Sequence, residues 1–85
     1  GGGRRRDAWT LRDVLARAGV RDAVTATVIG RDGTRAITAD ELTGRGDAAV
    51  LVRPNQRGEL VVRVFHDGHR VAQLRGVRRV EITRP

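Results

Sequence analysis

The stretch Leu60-Val-Val-Arg-Val-Phe-His-Asp-Gly68 decides the fold of this 85-residue chain. Its first seven residues are rich in valine and alternate between two faces, which predicts a strand with Leu60, Val62 and Val64 on one face and Val61, Arg63 and Phe65 on the other. The Asp-Gly pair at its end is a signal for a tight hairpin turn. We therefore expect a second strand over residues 70–74 to pair with the first.

Further strands are predicted on both sides of this hairpin. Residues 23–29 and 34–38 flank a Gly-Arg-Asp-Gly turn and are expected to form another hairpin. Residues 48–53 are apolar on both faces through most of their length, which places them centrally in a sheet. Residues 77–82 are expected to close the sheet, after Gly76 interrupts the preceding strand as a bulge or corner.

The clearest helix signal covers residues 11–18. Thr10 is a good N-cap, and Asp13 three residues later places an acid near the positive end of the helix. Gly19 is suited to the first position after the helix. The apolar residues follow the spacing i, i+3, i+4, i+7 and form one stripe, which consists of Leu11, Val14, Leu15 and Ala18.

Together these segments predict an α+β fold, with a small, mainly antiparallel sheet of five to six strands packed on one N-terminal helix. Residues 1–8 are interpreted as a flexible basic tail, because glycines and adjacent arginines do not favour order. Residues 9–85 are predicted to form a single domain. A single helical turn is expected at Asp40-Glu41-Leu42, with its two acids in solvent.

The composition excludes several classes of protein chemistry. The chain has no cysteine, which rules out disulfides, thiolate metal sites and thiol nucleophiles. No apolar run approaches the roughly 20 residues of a membrane span. No signal peptide is visible in this chain, which favours a cytoplasmic location. Trp9 and Phe65 are the only aromatic residues, and we expect both in the core.

The charge is strongly basic, at +7, and all 17 cations are arginines. A GC-rich genome would favour arginine, but the guanidinium also pairs bidentately with phosphate and carboxylate. An anionic partner is therefore predicted: a nucleic acid, a phosphate ligand or an acidic protein surface. Arg63, Arg75 and Arg79 are expected to converge on one sheet face. The candidate anion- or cofactor-binding residues are Arg63, Gly68, Arg70, Arg75 and Arg79.

No catalytic or metal-ligating set is predicted. The segment His66-Asp67-Gly68-His69 places two imidazoles beside only one acid, and we interpret it as a polar hairpin tip. The chain contains no serine, cysteine or tyrosine to act as a nucleophile. These observations favour a binding protein over an enzyme.

From Trp9 onward the order of features resembles the molybdopterin-binding domain of sulfite-oxidase-like oxidoreductases. The segments that carry the resemblance are Trp9-Thr-Leu-Arg-Asp-Val-Leu-Ala-Arg-Ala-Gly19, Ala39-Asp-Glu-Leu42, Ala49-Val-Leu-Val52, Leu60-Val-Val-Arg-Val64 and Val77-Arg-Arg-Val-Glu-Ile82. In that family the corresponding stretches read as a short helix, an "EL" turn, apolar strands and a terminal strand that closes the sheet.

The resemblance implies a fold and leaves three hypotheses for function. Members of the family that are active hold molybdenum through a cysteine thiolate, which this chain lacks. The resemblance implies that Gly68 and Arg70 would at most contact the phosphate of a pterin cofactor. The leading hypothesis is a cofactor-free, non-catalytic binding or accessory domain. The alternatives are a fragment of a molybdopterin-dependent oxidoreductase and a nucleic-acid-binding module.

Overall fold

The structure, a computed structural model, describes residues 8–22 and 24–84. All of the predicted tail except Ala8 lies outside these residues. The elements, in chain order, are β1 (Trp9–Thr10), α1 (Leu11–Arg17), β2 (Thr25–Gly30), β3 (Gly33–Ile37), α2 (Ala39–Thr43), β4 (Ala48–Pro54), β5 (Leu60–His66), β6 (His69–Val77) and β7 (Arg79–Thr83). A single 3-10 turn, Arg45–Asp47, leads into β4.

The strands form two antiparallel sheets. The large sheet has the order β1-β4-β5-β6, and the small sheet has the order β3-β2-β7. The α+β class is confirmed, and β4 is central in its sheet as predicted. The antiparallel pairing and the N-terminal helix are also as predicted, and the strand number is roughly right. The described residues hold seven strands in two sheets instead of five to six strands in one sheet. At Gly76, φ is +59°, and just beyond it the chain turns out of the large sheet to pair with β2.

The core lies between the two sheets and the helices. Val28 from β2 and Val64 from β5 are fully buried, and α1 and α2 contribute Leu11 and Leu42. Val62 is also buried while Arg63 between them is half-exposed, so the predicted alternation is confirmed from Val62 to Phe65. It fails at the start of β5, where Leu60 is 42% exposed and Val61 is buried. The burial of these aliphatic side chains supplies the main stabilisation of the fold.

Local signals define α1 as predicted. The Thr10 hydroxyl accepts a hydrogen bond from the Asp13 N–H at 3.1 Å. At the other end, the N–H groups of Gly19 and Val20 donate to the carbonyls of Ala16 and Leu15 at 3.0 and 2.8 Å. This is the Schellman pattern, and Gly19 adopts the positive φ of +88° that it requires. Both ends of the helix therefore have partners for their backbone groups.

The two hairpin predictions are also confirmed. Asp67 and Gly68 form the β5–β6 turn with φ values of +53° and +79°, as in a type I′ turn. The β2–β3 hairpin turns between Gly30 and Gly33. Gly30 lies so close to β6 that a Cβ atom there would be 2.6 Å from the Arg75 carbonyl oxygen. A side chain at this position is therefore excluded where the small sheet meets β6.

The aromatic residues are not placed as expected. Trp9 is 46% exposed because β1 lies at the edge of the large sheet. Phe65 is half-buried, and it alternates with the core residue Val64, so its ring lies on the opposite face of the sheet. The prediction that both rings belong to the core is therefore wrong. Among the described residues, no helix combines the length and the apolar character needed to cross a membrane.

Candidate anion-binding face

The face of the large sheet that points away from the core carries arginines from three neighbouring strands. Residues that lie opposite each other in an antiparallel pair share a face. Arg63 of β5 lies opposite Leu51 on one side and Gln73 on the other. We call this surface the outer face; the strand pairing places on it Ala49, Leu51, Arg53, Val61, Arg63, Phe65, Arg70 and Gln73. Arg75 follows Gln73 by two residues on β6, and its charge acts on Arg63.

Two of these arginines are held by one neutral oxygen. The Nε of Arg63 donates to the Oε1 of Gln73 at 2.7 Å, and Nη1 of Arg70 donates to the same atom at 3.0 Å. The amide oxygen fixes both guanidinium groups without cancelling their charge. Neither group makes a further hydrogen bond within the described part of the chain, which leaves N–H donors for a ligand because a guanidinium has five.

The electrostatics of the outer face are unfavourable in the absence of an anion. Burial, and then the positive charges of Arg53, Arg70 and Arg75, lower the pKa of Arg63 below its ordinary value. The group nevertheless stays charged, since guanidinium deprotonates only at very high pH. Within residues 8–22 and 24–84, none of these four arginines forms a salt bridge. Repulsion among them would be relieved by a bound anion.

Among the described residues, four arginines elsewhere in the fold form salt bridges, and Arg12, Arg17, Arg21, Arg45, Arg57 and Arg78 form none. Arg31 pairs with Glu59 at 3.1 Å, and Arg84 pairs with Asp22 at 3.1 Å. Arg79 pairs with Glu81, also at 3.1 Å. The outer face differs from these paired sites because its four arginines lie close enough to repel one another and form no salt bridge among the described residues.

The structure brings together three of the predicted binding arginines, Arg63, Arg70 and Arg75. It does not bring Arg79 to them, so the predicted convergence of Arg63, Arg75 and Arg79 is wrong. Arg79 lies on β7 of the small sheet, opposite Ile29, because the chain leaves the large sheet after Gly76. That change of sheet follows from a long-range contact that the sequence does not reveal.

Sequence reasoning missed Arg53 and Gln73. Arg53 lies two residues after Leu51 on β4 and therefore shares its face, so the predicted central position of this strand was the signal that could have found it. Gln73 had no such signal, because its role depends on the β5–β6 register, which places it opposite Arg63. The β5–β6 pairing also has a bulge: Val64 lies opposite Ala72, whereas the next residue, Phe65, lies opposite Arg70.

A shallow, open depression of about 570 Å³ lies at the hairpin end of the outer face. Phe65, Leu51 and Ala49 supply its apolar surface, and Gly68 of the turn lines it as well. Two acidic residues, Asp47 and Asp67, also line it. The predicted site residue Gly68 therefore lies beside the ring of Phe65, at the acidic end of the face.

A second polar cluster surrounds Glu41, which is only 4% exposed. Arg35 donates to its two oxygens at 2.9 and 3.0 Å, and Nε2 of His66 lies 2.6 Å from Oε2. The Thr38 N–H donates to Oε1 at 3.0 Å and completes a capping box. The expectation that both acids of the 40–41 pair are solvated is wrong for Glu41.

The Glu41 cluster is a structural site. The hydrogen bonds of Arg35 lower the pKa of Glu41 to about 2, with smaller contributions from His66 and the Thr38 N–H, and burial opposes the shift. Both oxygens already accept two contacts each, so no lone pair is left for a substrate. The cluster joins α2 to β3 and to the end of β5. His66, which was predicted to lie at a polar hairpin tip, therefore contacts the Glu41 carboxylate of α2.

The residues do not fit a molybdenum centre. The sequence has no cysteine to supply the thiolate, and the described residues contain no group of three or more His, Asp or Glu that could hold a metal ion. Comparison with models of known protein families, with curated proteins and with solved structures finds no match to this chain. The resemblance to molybdopterin-binding domains therefore stays a prediction.

Proposed function

We propose that this chain is a non-catalytic binding domain that recognises an anionic partner through the outer face. The observation that carries the proposal is the position of Gln73, whose one amide oxygen holds Arg63 and Arg70 side by side. Arg53 and Arg75 extend the positive surface on the two neighbouring strands.

The arrangement favours binding for two physical reasons. The hydrogen bonds to Gln73 restrict two long side chains before a ligand arrives, which reduces the entropy lost on binding. The guanidinium groups also lack carboxylate partners among the described residues, so an anion would not have to displace an existing salt bridge. Charge-assisted hydrogen bonds from arginine to phosphate or carboxylate are among the stronger polar contacts in proteins.

Binding of inorganic polyphosphate, measured by isothermal titration calorimetry, tests the proposal. We expect Arg63→Gln and Arg70→Gln each to weaken binding about tenfold, since hydrogen bonds to charged groups contribute about 1.5–3 kcal/mol. Arg79→Gln is the matched control: it removes the same charge from an exposed strand position on the other sheet. It should change the affinity less than twofold.

Thermal unfolding of each variant separates lost binding from lost structure. The proposal is overturned if the wild-type chain does not bind polyphosphate. It is also overturned if Arg79→Gln weakens binding as much as Arg63→Gln does, because binding would then follow net charge rather than the outer face.

A further inference from the structure

We infer that the anionic partner is a single-stranded nucleic acid, with its phosphates on the arginines of the outer face and one of its bases against Phe65. This inference rests on the proposed function and adds the class of ligand. Three features of the outer face support it: the position of Phe65, the division of charge along the face, and the open shape of the surface.

Phe65 provides an aromatic ring within the arginine cluster. It is half-exposed and lies opposite Arg70 in the β5–β6 pairing, with Ala49 opposite it on β4. Aromatic rings and guanidinium planes both stack on nucleobases, and such stacking tolerates any base because every base has a π-face. An anion-binding site for phosphate alone would have no use for this ring.

The arginines and the acidic residues lie at different parts of the outer face, as the phosphates and the uncharged bases lie at different parts of a nucleotide. Asp47 and Asp67 line the depression around Phe65, and their charge would repel phosphate there. Carboxylates can accept hydrogen bonds from the amino groups of an uncharged base. The arginines lie along the rest of the face, where the phosphates would lie. A peptide with acidic side chains throughout would meet repulsion from these two aspartates.

The surface is open and spans several nucleotides. A small-molecule ligand is usually enclosed in a concave pocket, whereas this depression is shallow. Ala49 lies opposite Phe65, and Arg53 lies four residues further along β4. At about 3.3 Å per residue, the arginines therefore extend to roughly 13 Å from Phe65. An extended single strand fits such a surface, and a duplex hides the faces of its bases.

Fluorescence anisotropy with a labelled, mixed-sequence single strand of about ten nucleotides tests the inference. We expect Phe65→Leu to weaken this binding about tenfold while the affinity for inorganic polyphosphate stays within twofold of the wild type. Trp9→Leu is the matched control, because Trp9 is the other exposed aromatic and lies opposite Val52, away from the arginines. It should change neither affinity. Thermal unfolding confirms that both variants are folded.

The outcomes separate this inference from the proposed function. If polyphosphate binding requires Arg63 but Phe65→Leu leaves oligonucleotide binding unchanged, the ligand class is wrong and the proposed function stands. The same holds if poly-glutamate of equal charge, or a duplex of the same sequence, binds more tightly than the single strand. If Arg63→Gln affects neither ligand, the proposed function fails as well.

Discussion

Glu41 and Gln73 each hold two cationic or potentially cationic side chains, with different consequences. Glu41 is an ionised carboxylate that binds Arg35 and His66 and balances charge in a buried site. Gln73 is a neutral amide that binds Arg63 and Arg70 and leaves their charge in place. The first arrangement stabilises the fold, and the second is the one that we propose binds an anion.

Gln73→Glu should weaken polyphosphate binding about fivefold. The new carboxylate would keep the two guanidinium groups in place but neutralise part of their charge, an effect of about 1 kcal/mol at a partly exposed site. Gln56→Glu, in the exposed β4–β5 turn, is the matched control and should have a smaller effect. Calorimetric titration of both variants checks this, and equal losses would contradict the role given to Gln73.

Glu41→Gln should lower the free energy of unfolding at pH 7 by about 3 kcal/mol, because it leaves Arg35 without its carboxylate. The pKa of Glu41 is lowered from 4.5 to about 2 in the folded protein. Its contribution is therefore complete above pH 4.5 and is lost as the pH falls toward 2.

Urea unfolding of the wild type and of Glu41→Gln at pH 7 and at pH 3 measures this dependence. The difference between the two proteins should shrink at the lower pH. Asp40→Asn is the control, because Asp40 is exposed and its replacement should change stability by less than about 0.5 kcal/mol. A pH-independent difference between wild type and Glu41→Gln would contradict the account.

At the scale of elements, the features that could be predicted are those with local causes. The caps of α1 and the Asp67-Gly68 turn depend on residues within a few positions of one another. The strand alternation of β5 is likewise a local pattern. The two-residue strand β1 and the departure of β7 from the large sheet depend on distant partners, so the sequence did not reveal them.

Leu11 should matter more to the docking of α1 than its neighbours on the apolar stripe. It is 2% exposed, whereas Leu15 is half-buried and Ala18 is exposed. Leu11→Ala should therefore cost about 2–5 kcal/mol of stability, and Thr10→Ala about 1 kcal/mol through loss of the cap. Denaturant midpoints of these variants and of Leu15→Ala give the order; a larger loss for Leu15→Ala would contradict the packing described here.

Gly30→Ala should destabilise the contact between β2 and β6 by about 1–3 kcal/mol. A Cβ atom at this position would lie 2.6 Å from the backbone oxygen of Arg75, which cannot move without displacing β6. The N–H of Arg31, which donates to that oxygen at 2.9 Å, would be displaced with it. Thermal denaturation measures the effect, and an unchanged melting temperature would show that the two sheets do not meet here.

At the scale of the whole molecule, the sequence predicts an anionic partner but does not locate the arginine cluster that we propose binds it. The net charge of +7 and the exclusive use of arginine are visible in the composition. The separation of Arg79 from Arg63 depends on how the chain divides its strands between two sheets. The position of Arg53 on the outer face depends on the β4–β5 register, and the exposure of Phe65 depends on which face of β5 is buried.

The most direct test of the outer face is a nuclear magnetic resonance titration of the ¹⁵N-labelled protein with inorganic polyphosphate. Arginine Nε–H signals report on each guanidinium group separately. The largest shifts are predicted at Arg63, Arg70 and the side-chain amide of Gln73, with smaller changes at Arg53 and Arg75. Shifts that are largest at Arg79 and Arg84, with the outer face unchanged, would contradict the account.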